Sequence, residues 1–245
     1  MLPVEPEHIL RLRREIADPA ALEATGSRAF GVPAIDAWLG GGLARAALHE
    51  LSAAPTHLGA LAGVALILAA LAREPRKQAL WITTDFGELE TGALYGPGLN
   101  QFGLVTEGLL LVRVTRPVDA LFAMEEALKC TAVATVVAEF NEPPDLTATR
   151  RIALAARHGG GIGLMLRHRI DNAPTTAQTR WRVAPALSVP DKFGGLGRTA
   201  FTLSLTRNRR GPCGDWTLSW DHHEHTLSLG VDAAAADGQD QAVQG

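Results

Sequence analysis

The sequence has little cysteine. Cys130 and Cys213 are its two cysteines in 245 residues, far apart and without a CxxC pair, which excludes a disulfide framework and a zinc ribbon. No secretory leader pattern opens the chain, so a reducing cytoplasm is the expected compartment. Long apolar runs are also missing. The most apolar stretch, Leu58 to Ala72, is shorter than the roughly 20 residues that cross a bilayer and reads as a buried helix. No Ser/His/Asp or Cys/His spacing marks a nucleophile. His222, His223, Glu224 and His225 cluster at the end of an expected strand; they read as a strand end, and no metal site is expected there. The glycines of GGGIG, 159–163, precede a strand rather than a helix. They are a helix stop and not a dinucleotide fingerprint.

Charge is near balance overall, at −3, but unevenly placed. Between Arg150 and Pro212 there are twelve Lys or Arg against two acids, Asp171 and Asp191, whereas the last 33 residues hold six acids and no Lys or Arg. A basic half beside an acidic tail is a footprint of a polyanion-binding surface, and it is equally the signature of a solvated face.

Periodicity supplies the architecture. The runs QALWIT (78–83), LLLVRV (109–114), AVATVVA (132–138) and Ile162 to Leu166 lack polar alternation, as strands buried on both faces do. Helical spacing falls between them, at Pro117 to Lys129 and at Leu146 to His158 behind a cap at Asp145. With Ala46 to Leu51 as the first core strand and Leu58 to Ala72 as the helix after it, the pattern predicts an α/β fold whose mainly parallel sheet is flanked by helices. Phe201 to Arg207 and Asp215 to Trp220 alternate, and read as a C-terminal antiparallel hairpin. Before this core, Ile9, Leu12 and Ile16 form one ridge of a short amphipathic helix, with Arg11 and Arg14 facing away. The expected organisation is a helix and linker over 1–24, a core over 25–230, and a disordered acidic tail over 231–245.

In nucleotide-binding α/β domains the turn after the first core strand cradles phosphates, with a lysine and a Ser or Thr completing G-x-x-x-x-G-K-[ST]. Here that turn reads ELSAAPTHLGAL, Glu50 to Leu61. Ala54 stands for the first glycine, Gly59 is the second, Ala60 replaces the lysine and Leu61 the magnesium ligand. The strand AVATVVA should end in a magnesium-ordering aspartate; Ala138 stands there, and Glu139, one step on, is expected on the opposite face. The site is therefore expected to be degenerate, to hold no cofactor and not to hydrolyse ATP.

From about Ile9 to Leu229 the order of segments resembles the RecA family. GVPAIDAWLGGGLARAALHEL (31–51) is similar to that family's approach to its first core strand, and ALWITTD (79–85) to the strand ending in the catalytic glutamate, which places Asp85 there. LYGPGLNQFGL (94–104), followed by LLLVRVTRPVDALFAMEEAL, resembles the stretch leading into the magnesium strand. TRNRRGP (206–212) resembles the lysine-Asn-lysine segment, with Arg207 and Arg209 for the lysines and Arg210 beside them. The combination of a lysine-free turn with TRPVDALFAMEEALKC, DLTATRRIALAA, TRWRVAP and LTRNRRGPCGDWTLSW resembles the ImuA family more closely.

That resemblance implies a RecA-like core without a motor and an accessory role in damage-inducible (SOS) error-prone translesion synthesis. The implied partners are an ImuB-like Y-family polymerase homologue, RecA, and through ImuB an error-prone C-family polymerase. An active RecA-like ATPase or recombinase and a SulA-type division inhibitor are the alternatives. The place of the second DNA-binding loop of recombinases holds RHRIDNAPTTAQTRWR, 167–182. Arg167, Arg169, Arg180 and Arg182 there offer charge for single-stranded DNA or an acidic partner, and Trp181 is either a stacking face or a core residue. The ridge of Ile9, Leu12 and Ile16 either covers its own domain or docks on RecA or the ImuB-like partner.

Overall fold

The structure is a computed structural model and describes residues 26–230 apart from 189, 191–194 and 196. The expected amphipathic helix with Ile9, Leu12 and Ile16, and the expected disordered tail after 230, lie outside the described residues.

The chain opens with β1 (Ser27–Arg28), helix α1 (Pro33–Trp38) and β2 (Leu43–Ala44), a small antiparallel unit. Gly42 joins them with φ at +120°, and a Cβ there would sit 2.3 Å from the Arg28 carbonyl oxygen, so the close approach requires glycine. Among the described residues the main sheet has nine strands. In chain order they are β3 (Ala47–Ser52), β4 (Gln78–Thr84), β5 (Leu109–Val114), β6 (Val133–Phe140), β7 (Ile162–Arg167), β8 (Thr179–Ala186), β9 (Thr199–Asn208), β10 (Gly214–Asp221) and β11 (Thr226–Leu229). Across the sheet they lie β5-β4-β6-β7-β3-β8-β9-β10-β11. The run from β5 to β8 is parallel, and β9, β10 and β11 continue it antiparallel. The expected mainly parallel sheet and terminal hairpin are both present; β8 and β11 extend the hairpin on either side.

Helix α2 (Leu58–Leu71) covers one face of the sheet, and α5 (Pro117–Lys129) with α6 (Leu146–Gly159) covers the other. Between β4 and β5 lie two short helices, α3 (Asp85–Thr91) and α4 (Gly96–Gln101). Helix α2 is apolar on every side, and from Gly63 to Ala69 every side is buried. A Cβ at Gly63 would meet the rings of Phe102 and Phe201 at 3.1 and 3.2 Å, a measure of how closely these layers approach. Asp145 caps α6 through the Ala148 N–H at 2.7 Å, and Gly160, left-handed at φ +77°, stops it.

Three sequence expectations need correction. LLLVRV is not buried on both faces: as β5 it is the edge strand of the sheet, with Leu110 and Leu111 50% and 61% exposed. The first core strand begins at Ala47 and not at Ala46, whose left-handed φ of +52° places it outside the strand. The segment from Arg167 to Arg182 is not one loop. Arg167 closes β7, and strand β8 begins at Thr179, because Trp181 and Val183 alternate into the core while Arg180 and Arg182 take the other face.

Candidate functional site

The turn after β3 runs from a buried Ala53 through Ala54 into a single 3-10 turn, Pro55–His57, closed by the His57 N–H on the Ala54 carbonyl at 2.8 Å. Phosphate-cradling turns gather successive N–H groups by alternating right- and left-handed residues. No residue between Ser52 and Leu61 has a positive φ, Gly59 included. Gly59 is exposed and open, Ala60 is half-buried, and Leu61 is 1% exposed in the core, where a magnesium ligand would need to face outward.

Beside this turn the ends of β4 and β6 meet. Ala138 packs with Ile82, Met124 and Ile152 on the α5/α6 face. Glu139 faces the α2 side, where it lines a cavity of about 410 Å3 together with Gly59, Leu66, Leu99 and Phe102. The sequence reading put Ala138 in the magnesium position and Glu139 away from it; the alternation of β6 reverses the two, and the carboxylate is the group at the cavity. Glu139 accepts from the Trp81 indole N–H at 2.5 Å and from the Thr83 hydroxyl at 3.2 Å. Burial pushes its carboxyl up from the ordinary range, and these two hydrogen bonds offset part of that. The Nε2 of buried His168 lies 3.8 Å from its Oε2, and burial pushes that imidazole down.

Asp85 is not at this cavity. It opens α3 and turns toward β5, accepting from Arg113 Nε at 2.5 Å and from the Thr115 hydroxyl at 2.9 Å, which hold its carboxyl below the usual range. Arg113 also pairs with Glu88. Three positions read from the sequence as parts of one degenerate site thus separate: Glu139 lines the cavity, Ala138 is core, and Asp85 belongs to a surface ion pair.

The arginines divide in the same way. Arg180 donates from Nε to Glu50 Oε2 at 2.8 Å and from Nη2 to the Ala173 carbonyl at 2.6 Å, and Arg167 reaches the same Glu50 oxygen at 3.4 Å and also pairs with Asp171. Glu50 is 1% exposed. These two arginines are the counter-charge of a buried carboxylate. Arg169 pairs with Glu142 at the surface. Trp181 is core, packed between Phe30 and Trp216, with its indole N–H on the Thr179 hydroxyl at 2.8 Å. It presents no face for a base to stack upon.

Arg182, Arg207 and Arg209 reach solvent, and Arg210 is half-buried with Nε and Nη2 unpaired among the described residues. Partial burial pushes the Arg209 guanidinium down, as do the positive charges of Arg207 and Arg157. Positive charge is therefore gathered at the end of β9 and the turn after it. Sequence reasoning missed Glu50. Its signal is a carboxylate inside the first core strand, ALHELS, which demands a buried cation elsewhere in the chain.

Among the described residues no group of His, Cys, Asp and Glu is placed to hold a metal. His222 is bonded to Thr199 and the Gln101 carbonyl, and His225 stacks on Trp220. No described helix is long and apolar enough to cross a membrane.

The chain matches no family model. It is 32% identical over 212 residues to Protein ImuA of Caulobacter vibrioides, in strain NA1000 / CB15N and equally in strain ATCC 19089 / CIP 103742 / CB 15, an alignment spanning 80% of this chain and 84% of each relative. The chain belongs to the ImuA family. In this ImuA-family chain the turn from Ala54 to Leu61, the Glu139 cavity and the arginine-bearing end of β9 are three separate features of one sheet, the first two adjoining and the third reached across β8.

Proposed function

We propose that this chain is a non-catalytic, RecA-like accessory of the damage-inducible mutagenesis cassette. It serves error-prone translesion synthesis by binding an ImuB-like Y-family polymerase homologue and RecA, and reaches the error-prone C-family polymerase through the former. Membership of the ImuA family supports the cellular role. One observation carries the non-catalytic reading: the turn where a phosphate-binding protein places its lysine and hydroxyl has Ala60 and Leu61, lacks left-handed residues, and adjoins a cavity with a carboxylate on its wall. A phosphate brought there would meet no neutralising lysine and no hydroxyl ligand for magnesium at the turn, and would face the Glu139 carboxylate instead.

Single-stranded DNA is a further partner of the Arg182, Arg207, Arg209 and Arg210 face, where charge is not consumed by an internal carboxylate. The test is co-purification from DNA-damaged cells, paired with an ATPase assay on the pure chain. Recovery of the Y-family homologue or RecA without turnover supports the proposal. DNA-stimulated turnover would instead identify an active ATPase, and recovery of a division protein alone would identify a division inhibitor.

A further inference from the structure

The cavity beside the degenerate turn has a character of its own. Its walls are Leu58, Leu66, Leu99 and Phe102, Glu139 stands within it and Glu90 at its mouth, and among the described residues no Lys, Arg or His lines it. Asn141 donates to Glu90 Oε2 at 2.8 Å, which fixes that second carboxylate in place. A smaller cavity of about 160 Å3 shares Gly92, Ala93, Leu94 and Glu139 with it; the arginine there, Arg113, is already held by Asp85 and Glu88.

The surroundings are unusual for a free surface. Phe86, Leu89 and Tyr95, on α3 and at the start of α4, are 59%, 85% and 72% exposed. Large apolar side chains left exposed on the two short helices beside a concave site, with Tyr95 in its lining, mark a protein-docking surface rather than a small-molecule vestibule. A cavity lined by apolar side chains and two carboxylates complements a side chain with an aliphatic stem and a cationic head. It repels a phosphate.

We infer that the α3–α4 face is a docking surface for a partner protein, and that the Glu139 cavity takes a lysine or arginine side chain from an apolar-flanked segment of that partner. This rests on the reading of the neighbouring turn as unable to bind and turn over Mg-ATP. The stem lies along Leu66, Leu99 and Phe102, the head meets Glu139 and Glu90, and the flanking apolar residues of the partner cover Phe86, Leu89 and Tyr95. Binding energy is concentrated at the buried cation, as at other interfaces where a fully desolvated arginine is the anchor.

The test uses the full chain labelled with 15N, because the Trp81 indole N–H, bonded to Glu139, reports on the cavity directly; a Trp81→Phe spectrum assigns its signal. Nα-acetyl-arginine methylamide should shift that signal saturably, and its neutral citrulline counterpart and Mg-ATP should not. Glu139→Gln keeps an acceptor for Trp81, leaves the other four indole signals in place, and should weaken the arginine probe roughly tenfold. A peptide with arginine between leucines should bind more tightly than the single amino acid, and Leu89→Ser with Tyr95→Ser should erase that advantage while leaving the single amino acid unaffected.

A silent Trp81 signal with the arginine probe overturns the inference, as does a shift caused equally by citrulline. Spermidine binding as tightly as the peptide would identify a free polyamine as occupant and overturn the docking surface. Concentration-dependent dimerisation abolished by Glu139→Gln would identify a second copy of this chain and overturn the separate partner. Turnover of Mg-ATP would defeat the proposed function as well, whereas absence of both turnover and cation binding defeats this inference alone.

Discussion

Arg180 and Arg182 are two residues apart on one strand and have the same chemistry, yet the structure assigns them opposite roles. Arg180 donates to Glu50, which is 1% exposed, while Arg182 reaches solvent. Removing one partner of a buried ion pair costs about 3 to 5 kcal/mol, because the other charge is left without compensation. Arg167 stays within 3.4 Å of the same Glu50 oxygen, so Arg180→Met falls at the lower end, about 3 kcal/mol. Arg182→Met falls within about 0.5 kcal/mol of the parent. Urea denaturation reads this directly: with a slope of roughly 2 kcal/mol/M, the Arg180 variant should lose about 1.5 M in its midpoint and the Arg182 variant almost none. Adding Glu50→Gln to Arg180→Met should recover part of the loss, since the two sites are coupled. For single-stranded DNA the order reverses. Each of Arg182, Arg207 and Arg209 replaced by Met should reduce the logarithmic salt slope by about 0.7 if it contacts a phosphate. Equal midpoints for the Arg180 and Arg182 variants, or an additive double variant, would refute the assignment of Arg180 to Glu50.

Three other outcomes are expected. Pure protein with Mg-ATP and single-stranded DNA should show no turnover, and Ala60→Lys alone should not create it, because Leu61 is buried in the core and supplies no magnesium ligand; phosphate release above a no-protein blank contradicts this. His49 is buried, its Nε2–H donating to the Ala44 carbonyl at 2.8 Å and its Nδ1 accepting from the Thr179 hydroxyl at 2.7 Å, and burial lowers its pKa to about 4 from 6.5. The unfolded chain therefore takes that proton first, so stability is full above pH 6.5 and falls by about 3 kcal/mol as pH drops through 4; the difference between parent and His49→Gln unfolding energies should shrink across that window, and a constant difference would count against it. Leu12→Ala with Ile16→Ala should melt nearly as the parent and fail to co-purify with RecA or the polymerase homologue, whereas a loss of about 2 kcal/mol or more per site with retained partners would show that the ridge covers its own domain.

The parallel core was legible because its central strands are buried on both faces and carry unbroken apolar runs; β6 and β7 are buried over almost their whole length, whereas the equally apolar run of β5 forms the exposed edge. The turn after β3 was legible because its chemistry is local, a missing lysine and hydroxyl within eight residues. What was not legible depends on which residues meet across the chain. Arg167 and Arg180 look like binding arginines until Glu50, 117 and 130 residues away, is seen between them. Strand β8 hid among those arginines, although Arg180-Trp181-Arg182-Val183 already alternates with the period of a strand. Ala138 and Glu139 were assigned to the wrong faces because a period of two fixes alternation but not its phase, and the phase is set by packing against α5 and α6.

The two free thiols add a practical consequence. Cys130 and Cys213 are both exposed, the first just past the end of α5 and the second in the turn between β9 and β10, a few residues from Arg209 and Arg210. The chain thus comes ready for site-selective chemistry. A Cys130→Ser protein carries one dye, at the corner where positive charge is gathered, and a Cys213→Ser protein carries the same dye on a different element. Quenching or brightening at the first position but not at the second would place an arriving polyanion or polymerase partner on the molecule without altering a single arginine.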